Sequence, residues 1–248
     1  MKLPFETDMG IGTQATLGTV VLETDETLEP EFARMVPRPG VALYHTRIPM
    51  VAEITPDTLA KMEADLPAAV RLLPPSLTFD VIGYGCTSAA TVIGSEQVAK
   101  AIQTVFPGVL VTDPLAALIA AGRKIGARRL GFLTPYVANV STRMRGRLQD
   151  AGFEIAGFGS FEEGRDPVVA RISEASILNA AVTVARAQPC DAIVISCTNL
   201  RCLDILDEVE ARTGVTALSS NQALAWHMLR LAGVQAPQIG AGRLFQEF

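Results

Sequence analysis

The stretch DVIGYGCTSAATVIG (Asp80–Gly94) has a partner later in the chain, DAIVISCTNLRCLDIL (Asp191–Leu206). In both, an acid is followed by an apolar run and then by Cys-Thr, with the cysteine six residues after the acid. A continuous apolar run of this length indicates a strand that is buried on both faces of a parallel sheet. The repeat therefore predicts that Cys86 and Cys197 follow two equivalent strands.

Outward from these two stretches, apolar runs alternate with helical patterns along the chain. Strands are predicted over residues 17–22, 41–49, 79–85, 109–113, 129–135, 153–159, 192–196 and 215–220. Helices are predicted over residues 56–73, 94–105, 114–126, 139–151, 173–187, 203–213 and 221–233. This alternation is typical of an α/β fold with parallel sheets.

The two halves of the chain resemble each other. Leu17–Phe32 aligns with Leu130–Arg145 at an offset of 113 residues, and the two cysteines differ by 111. We predict a duplicated α/β lobe, with a first lobe over residues 14–113, a second over 114–248 and a C-terminal helix that crosses back to the first. Because ligands bind outside the carboxyl ends of parallel strands, the site is expected in the cleft between the lobes.

Composition excludes several classes of function. The 248 residues carry a net charge of −5 without a basic run, which argues against nucleic acid. No leader-like apolar segment begins the chain, and no apolar stretch reaches the roughly 20 residues of a membrane span. We expect a soluble cytoplasmic protein with reduced thiols. Without a CxxC pair, a P-loop or GxGxxG, neither metal nor nucleotide cofactor is expected.

Two thiols on opposite sides of one ligand have a chemical use. One can remove a proton from a carbon while the other returns a proton on the opposite face, and N–H groups near a helix start can lower the pKa of each thiol. A thiolate can instead attack carbon as a nucleophile. The alternative is that each cysteine is only a small buried apolar residue. Cys190 and Cys202 lack the repeated pattern: we interpret Cys190 as a loop or strand-edge residue and Cys202 as a residue that packs in a helix.

Several motifs carry a resemblance to a known family. The segments GYGCTSAATVIG, SCTNLRCLDILDEVEARTGV, LSSNQALAWHMLRLAG and GAGRLF resemble the Asp/Glu racemase superfamily, in its branch of maleate cis-trans isomerases and arylmalonate decarboxylases. The TDETLE segment, with CTNLR and SSNQALAWH, is most similar to members found in ectoine-utilisation operons. The resemblance implies two Rossmann-like lobes related by a pseudo-twofold axis and chemistry without a cofactor beside a carboxylate.

The resemblance also implies roles for individual residues. Cys86 matches the nucleophile of maleate isomerases, and Cys197 matches the cysteine that handles the proton. The decarboxylases keep only the second cysteine, so the presence of both argues against simple decarboxylation. The expected donors to a substrate carboxylate are Thr87, Ser88, Thr198, Asn199 and the hydroxyl of Tyr136. The alternative for Tyr136 is a half-buried loop residue without such a role.

The first loop departs from the family pattern. Maleate isomerases have an asparagine there, whereas this sequence has Glu23-Thr24-Asp25-Glu26. An acid in the site would repel a dicarboxylate, so Asp25 either contacts a cationic substrate group or, with Thr24, caps the following helix. Trp226 and His227 are expected to pack in the core, and Asn221 to cap the last long helix.

These observations favour a cofactor-independent isomerase or racemase that acts beside the carboxylate of a small amino-bearing acid, in a homo-oligomer. One alternative is a maleate-type cis-trans isomerase that works by addition of Cys86 to a double bond. A second alternative is a non-catalytic amino-acid-binding protein, since two lobes around a cleft also suit a sensor.

Overall fold

The structure, a computed structural model, describes residues 1–37, 39–50, 56–235 and 240–248, with the backbone alone for residues 56–60. Its described strands form two parallel four-stranded sheets. The first sheet contains β1 (Ala15–Leu22), β2 (Val41–Ile48), β3 (Val81–Gly85) and β4 (Leu110–Thr112). The second contains β5 (Arg129–Thr134), β6 (Glu154–Ser160), β7 (Ala192–Ile195) and β8 (Thr216–Ser219). The predicted α/β class with parallel sheets is therefore confirmed.

Helices connect and cover these strands. In the first half they are α1 (Leu28–Met35), α2 (Pro56–Val70), α3 (Thr87–Ile93) and α4 (Ser95–Gln103). After β4 follow α5 (Pro114–Lys124), α6 (Ala138–Asp150), α7 (Asp166–Val169) and α8 (Glu174–Ala187). A 3₁₀ turn (Leu203–Ile205) then precedes α9 (Leu206–Thr213), α10 (Ser220–Leu231) and α11 (Gly242–Glu247).

The two sheets share one strand order, β2-β1-β3-β4 in the first and β6-β5-β7-β8 in the second. The repeated acid has the same structural task in both. Asp80 accepts a hydrogen bond from the backbone N–H of Thr16 at 2.8 Å, and Asp191 accepts one from that of Arg129 at 2.8 Å. Each acid thus joins the start of one central strand to the start of its neighbour. Six residues later, at the other end of the same strand, the chain reaches the cysteine.

Helix α10 belongs to the second half of the sequence but packs against β3 and β4 of the first sheet, as well as against α1 and α5. Gly83 permits this close contact, because a Cβ at that position would lie 2.6 Å from the sulfur of Met228. The lobe boundary at residues 113–114 stays a prediction.

The predicted helices differ from the structure in two places. Residues 94–105 contain α4, as expected, but a further helix, α3, precedes it and ends at Gly94, whose φ is 92°. The helix expected from Leu203 begins instead as the 3₁₀ turn, and α9 follows it. A consequence is that Cys197 precedes a turn, whereas Cys86 directly precedes α3. In the described part of the chain, no helix is both long enough and apolar enough to cross a membrane.

Candidate active site

Cys86 links the end of β3 to the start of α3. Its sulfur is the N-cap of α3 and accepts a hydrogen bond from the backbone N–H of Ala89 at 3.4 Å. The hydroxyl of Ser88 lies 3.6 Å from the same sulfur. With 3% of its surface exposed, the thiol is enclosed by protein but surrounded by hydrogen-bond donors.

Cys197 follows β7 in the equivalent place of the second sheet. Its sulfur accepts a hydrogen bond from the backbone N–H of Asn199 at 3.4 Å. The hydroxyl of Tyr136, from the segment after β5, is the side-chain partner of the same thiol. The hydrogen bonds to Cys197 therefore come from a tight turn and a tyrosine, whereas a backbone N–H at the start of a helix donates to Cys86.

Several contacts bring the two cysteine motifs together. The hydroxyl of Thr198 lies 3.5 Å from the carbonyl oxygen of Gly85, so the residue after one cysteine meets the residue before the other. Tyr136 is close enough to both thiols for each to raise the pKa of its hydroxyl, after the larger effect of burial. Both cysteines are free thiols.

A cavity of about 150 Å³ opens beside these motifs. Its lining combines Met50 and Ser88 from the first half with Tyr136, Glu163 and Asp166 from the second. The described lining residues include these two acids but no lysine, arginine or histidine. An anionic ligand in this cavity would therefore meet no side-chain cation among them.

Burial dominates the acidity of both thiols. It raises the pKa of Cys86 to about 11, although the Ala89 N–H and the Ser88 hydroxyl act in the opposite direction. It raises the pKa of Cys197 to about 12 against the Tyr136 hydroxyl and the Asn199 N–H. The nearby donors do lower the pKa of each thiol, as expected, but desolvation outweighs them.

Alkylation should show this protonation state directly. Below pH 10 the Cys86 thiolate is a minor species, so its reaction with iodoacetamide should accelerate about tenfold for each unit of pH rise. Mass spectrometry of the Cys86 peptide measures this rate, with the partly exposed Cys190 as the accessibility control. If the alkylation rate instead reached a plateau at or below about pH 8, Cys86 would be an activated thiolate, and the high pKa would be contradicted.

Asp25 caps α1 with one oxygen and leaves the other incompletely satisfied. Its Oδ1 accepts hydrogen bonds from the backbone N–H groups of Thr27 and Leu28, both at 2.8 Å. Its Oδ2 is buried and makes no well-formed hydrogen bond among the described residues, although the Thr198 side chain is near enough to lower the pKa of the carboxyl. Burial raises the pKa of this carboxyl, and Asp166 raises it further. The capping alternative is thus correct for one oxygen, and the second oxygen is available for another role.

Asp166 is the acid of the site that sequence reasoning missed. It begins α7, lines the cavity, and accepts a hydrogen bond from the hydroxyl of Thr24 at 2.6 Å. Together with Asp25 it raises the pKa of both thiols. Its position before Pro167 signals only a helix start. Nothing local in the sequence connects it with the cysteines.

The other predicted site residues fall into two groups. Ser88 and Tyr136 line the cavity, whereas the hydroxyl of Thr87 lies 3.1 Å from that of Ser220 at the start of α10. The Asn199 side chain is occupied by backbone groups: it accepts from the N–H of Glu26 at 2.9 Å and donates to the Asp166 carbonyl at 3.2 Å. Asn199 therefore joins the first loop to the second motif.

Glu31 is a second acid that the sequence did not indicate, and it binds the chain that follows Cys197. Its buried carboxylate accepts from the backbone N–H groups of Cys202 and Leu203 and from the amide of Asn221, each at 2.8 Å. The same amide donates to the carbonyl of Thr198 at 2.8 Å. Burial raises the pKa of Glu31 to about 7. Glu31 and Asn221 thus fix the backbone beside Cys197.

Asn221 is not the helix cap that the sequence suggested. Ser219 is the N-cap of α10 and forms a capping box with Gln222. Trp226 is buried, and His227 lies 2.8 Å from the Thr112 hydroxyl, so both pack as predicted. Within residues 1–37, 39–50, 56–235 and 240–248, no three His, Cys, Asp or Glu residues converge as metal ligands would.

Comparison with known proteins gives one consistent result. Residues 87–245 match the arylmalonate decarboxylase family model. The arylmalonate decarboxylase of Bordetella bronchiseptica is 30% identical over 88% of this chain and 94% of its own length. The maleate isomerase of Nocardia farcinica is 27% identical over 93% of this chain and 95% of its own length.

Solved structures agree with these relatives. A Cys-to-Ser mutant of the Nocardia farcinica maleate cis-trans isomerase, with a covalently bound succinylcysteine intermediate, superposes with a TM-score of 0.83 at 25% identity. That match covers 94% of this chain and 99% of the other. A liganded arylmalonate decarboxylase mutant superposes with a TM-score of 0.83 at 27% identity, over 94% of this chain and 100% of the other.

Proposed function

Because the chain belongs to the arylmalonate decarboxylase family, we propose that it is a cofactor-independent isomerase or racemase of a small amino-bearing acid. Its reaction takes place at the carbon next to the carboxylate, with Cys86 and Cys197 on opposite faces of that carbon. The observation that carries this proposal is the pair of buried free thiols at equivalent strand ends, whose side-chain partners Ser88 and Tyr136 line one cavity.

The remaining residues suit the handling of a carboxylate. We assign Ser88 and the Tyr136 hydroxyl to direct contact with it, since both line the cavity. Thr87 and Thr198 would contribute the backbone N–H groups beside the thiols. These donors can also stabilise the enolate-like charge that forms when the adjacent carbon loses its proton. Asn199 keeps a positioning role, because its side chain is already bound to backbone groups.

Proton transfer in this site requires one thiolate and one thiol. Burial raises the pKa of Cys86 to about 11, so the thiol is almost entirely protonated at pH 7. The negative charges of Asp25 and Asp166 are among the causes of that high pKa. The positive charge of a cationic substrate group would offset them. Binding of an amino-bearing substrate would therefore favour formation of the base it needs.

A maleate-type cis-trans isomerase is the second candidate. The succinylcysteine intermediate named for the Nocardia farcinica structure favours it, because it joins a cysteine to a four-carbon diacid. In this chain, however, a diacid would meet Asp166 in a cavity whose described lining has no basic residue. Repulsion between two like charges 4 Å apart is about 4 kcal/mol at an effective dielectric constant of 20.

A substrate panel separates these candidates. We expect one enantiomer of an amino acid to be converted into the other, or into an isomer, while maleate is left unchanged. Chiral chromatography after incubation with both enantiomers of small amino acids, and with maleate, measures this. Fast conversion of maleate to fumarate without any reaction of amino acids would favour the second candidate. Binding without conversion of any compound would favour the non-catalytic amino-acid-binding protein.

The finer expectations stay predictions. They are the ectoine-utilisation context, the homo-oligomeric state, the cytoplasmic location, and the lobe boundary with the active site between residues 14–113 and 114–248. The amino-bearing substrate is supported by Asp25 and Asp166, the acids near the thiols.

A further inference from the structure

We infer that Asp166 and the second carboxylate oxygen of Asp25 together bind the ammonium group of a zwitterionic amino-acid substrate. This inference rests on the function proposed above and names its specificity-determining residues. It adds Asp166, which no sequence pattern indicated, and it specifies a site assembled from both halves of the chain.

The first support is the state of Asp25. Only 3% of its surface is exposed, and Oδ1 already accepts two backbone hydrogen bonds. Oδ2 is enclosed and has no well-formed hydrogen bond among the described residues, although the Thr198 side chain is near enough to lower the pKa of the carboxyl. A buried carboxylate oxygen that is incompletely satisfied is unfavourable, so a ligand that donates a hydrogen bond to it would bind favourably there.

The second support is the position of Asp166 on the opposite half. It lines the cavity, and its Oδ2 receives the hydroxyl of Thr24, the residue before Asp25. Asn199 strengthens this link, because its amide donates to the Asp166 carbonyl at 3.2 Å and reaches the Thr24 carbonyl at 3.5 Å. The first loop and the start of α7 are thereby held together with their carboxylates near each other.

The third support is the charge balance. The negative charges of Asp25 and Asp166 both raise the pKa of each thiol, and the charge of Asp166 also raises the pKa of Asp25. The four groups therefore lie close to one another. None of the described cavity-lining residues offers a compensating cation. Nearby arginines are already paired: Arg165 with Glu163, Arg171 with Glu26, and Arg47, which also donates to the Asp25 carbonyl oxygen at 3.0 Å, with Glu29. An ammonium group of the substrate would supply positive charge to Asp25 and Asp166, which have no ion-pair partner of their own among the described residues.

Matched ligand pairs test the inference without any need for turnover. Calorimetry would compare aspartate with succinate and alanine with propionate, using both enantiomers of each amino acid; the members of a pair differ only in the amino group. The variants are Asp166→Asn and Asp25→Asn, which keep the oxygens that bind Thr24 and cap α1. Glu26→Gln, one residue from Asp25 but paired with Arg171 at the surface, is the control for loss of one charge.

The wild-type protein should prefer at least one amino acid over its deaminated partner. Asp166→Asn and Asp25→Asn should each lower the affinity for that amino acid by about 30-fold or more, whereas Glu26→Gln should leave the affinity unchanged. Succinate or propionate should bind the two site variants no more weakly than wild type. Equal affinities within both pairs, no binding of any amino acid, or unchanged affinity in the two site variants would overturn the inference. Amino-acid preference without racemisation would contradict the proposed reaction alone.

Discussion

Serine in place of Cys86 or Cys197 should lower turnover of the amino-acid substrate by about 10²–10⁴ in either single variant. The two thiols are the proposed proton-transfer groups on opposite faces of one carbon, and a serine hydroxyl is a much poorer base and acid at neutral pH. Steady-state kinetics with each enantiomer measures the loss. Because each cysteine is needed in both directions, each variant should lose both the forward and the reverse reaction.

The matched control is Cys190→Ser. Cys190 lies in the loop before β7, is only partly buried, and its sulfur is 3.6 Å from the carbonyl oxygen of Ala185. It should retain wild-type turnover. Circular dichroism would establish that the two site variants remain folded. Full activity in either of them would remove that thiol from the mechanism.

Loss of the Glu31 carboxylate should be the most destabilising single change near the site. In Glu31→Ala the two backbone N–H groups of Cys202 and Leu203 and the amide of Asn221 lose their acceptor. Each unsatisfied buried donor costs about 1–3 kcal/mol, so the free energy of unfolding should fall by roughly 3 kcal/mol or more. This is a large part of the 5–15 kcal/mol typical of a folded domain. Urea unfolding at constant pH measures it.

Glu29→Ala is the control on the same helix. Glu29 pairs with Arg47 at 2.9 Å on the surface, where such a pair contributes about 1 kcal/mol or less. Equal destabilisation by the two alanine variants would contradict the structural role of Glu31.

The pH dependence of stability gives a second test of Glu31. Burial raises its pKa from 4.5 to about 7, so the folded protein holds this proton more tightly than the unfolded chain does. The corresponding stability is fully present below pH 4.5 and is lost as the pH rises through about 7. Glu31→Gln cannot titrate, so the difference in unfolding free energy between this variant and the wild type should change with pH only within this window.

The strands could be predicted because a buried strand appears in the sequence as a continuous apolar run. The runs before Cys86 and Cys197 are apolar throughout, and every residue of β3 and β7 is buried. The acid that precedes each run was part of the recognised pattern, but its task emerges only from the structure, where it joins neighbouring strands. Helix α3 was not among the predicted helices because its seven residues are too few to show a helical period.

The site could be predicted only where it depends on local motifs. The cysteines and the donors beside them repeat along the chain, and Asp25 stood out as a departure from the family pattern. Asp166 and Glu31 were missed because their partners are distant in sequence: Asp166 meets Thr24 across 142 residues, and Glu31 meets Cys202 across 171. The high pKa of the thiols was also missed, since desolvation depends on the packing of the whole site.

Deuterium incorporation tests the opposed action of the two cysteines most directly. If one thiolate removes the proton and the other thiol returns one, product formed in deuterated water must carry deuterium on the reacting carbon from the first turnover. The donor thiol exchanges with solvent before the reaction, and each single serine variant should still exchange the hydrogen on its remaining face. Mass spectrometry of the earliest product is the measurement. Product that carries deuterium is the predicted result, and initial product free of deuterium would contradict the two-thiol mechanism and favour addition of Cys86 to carbon.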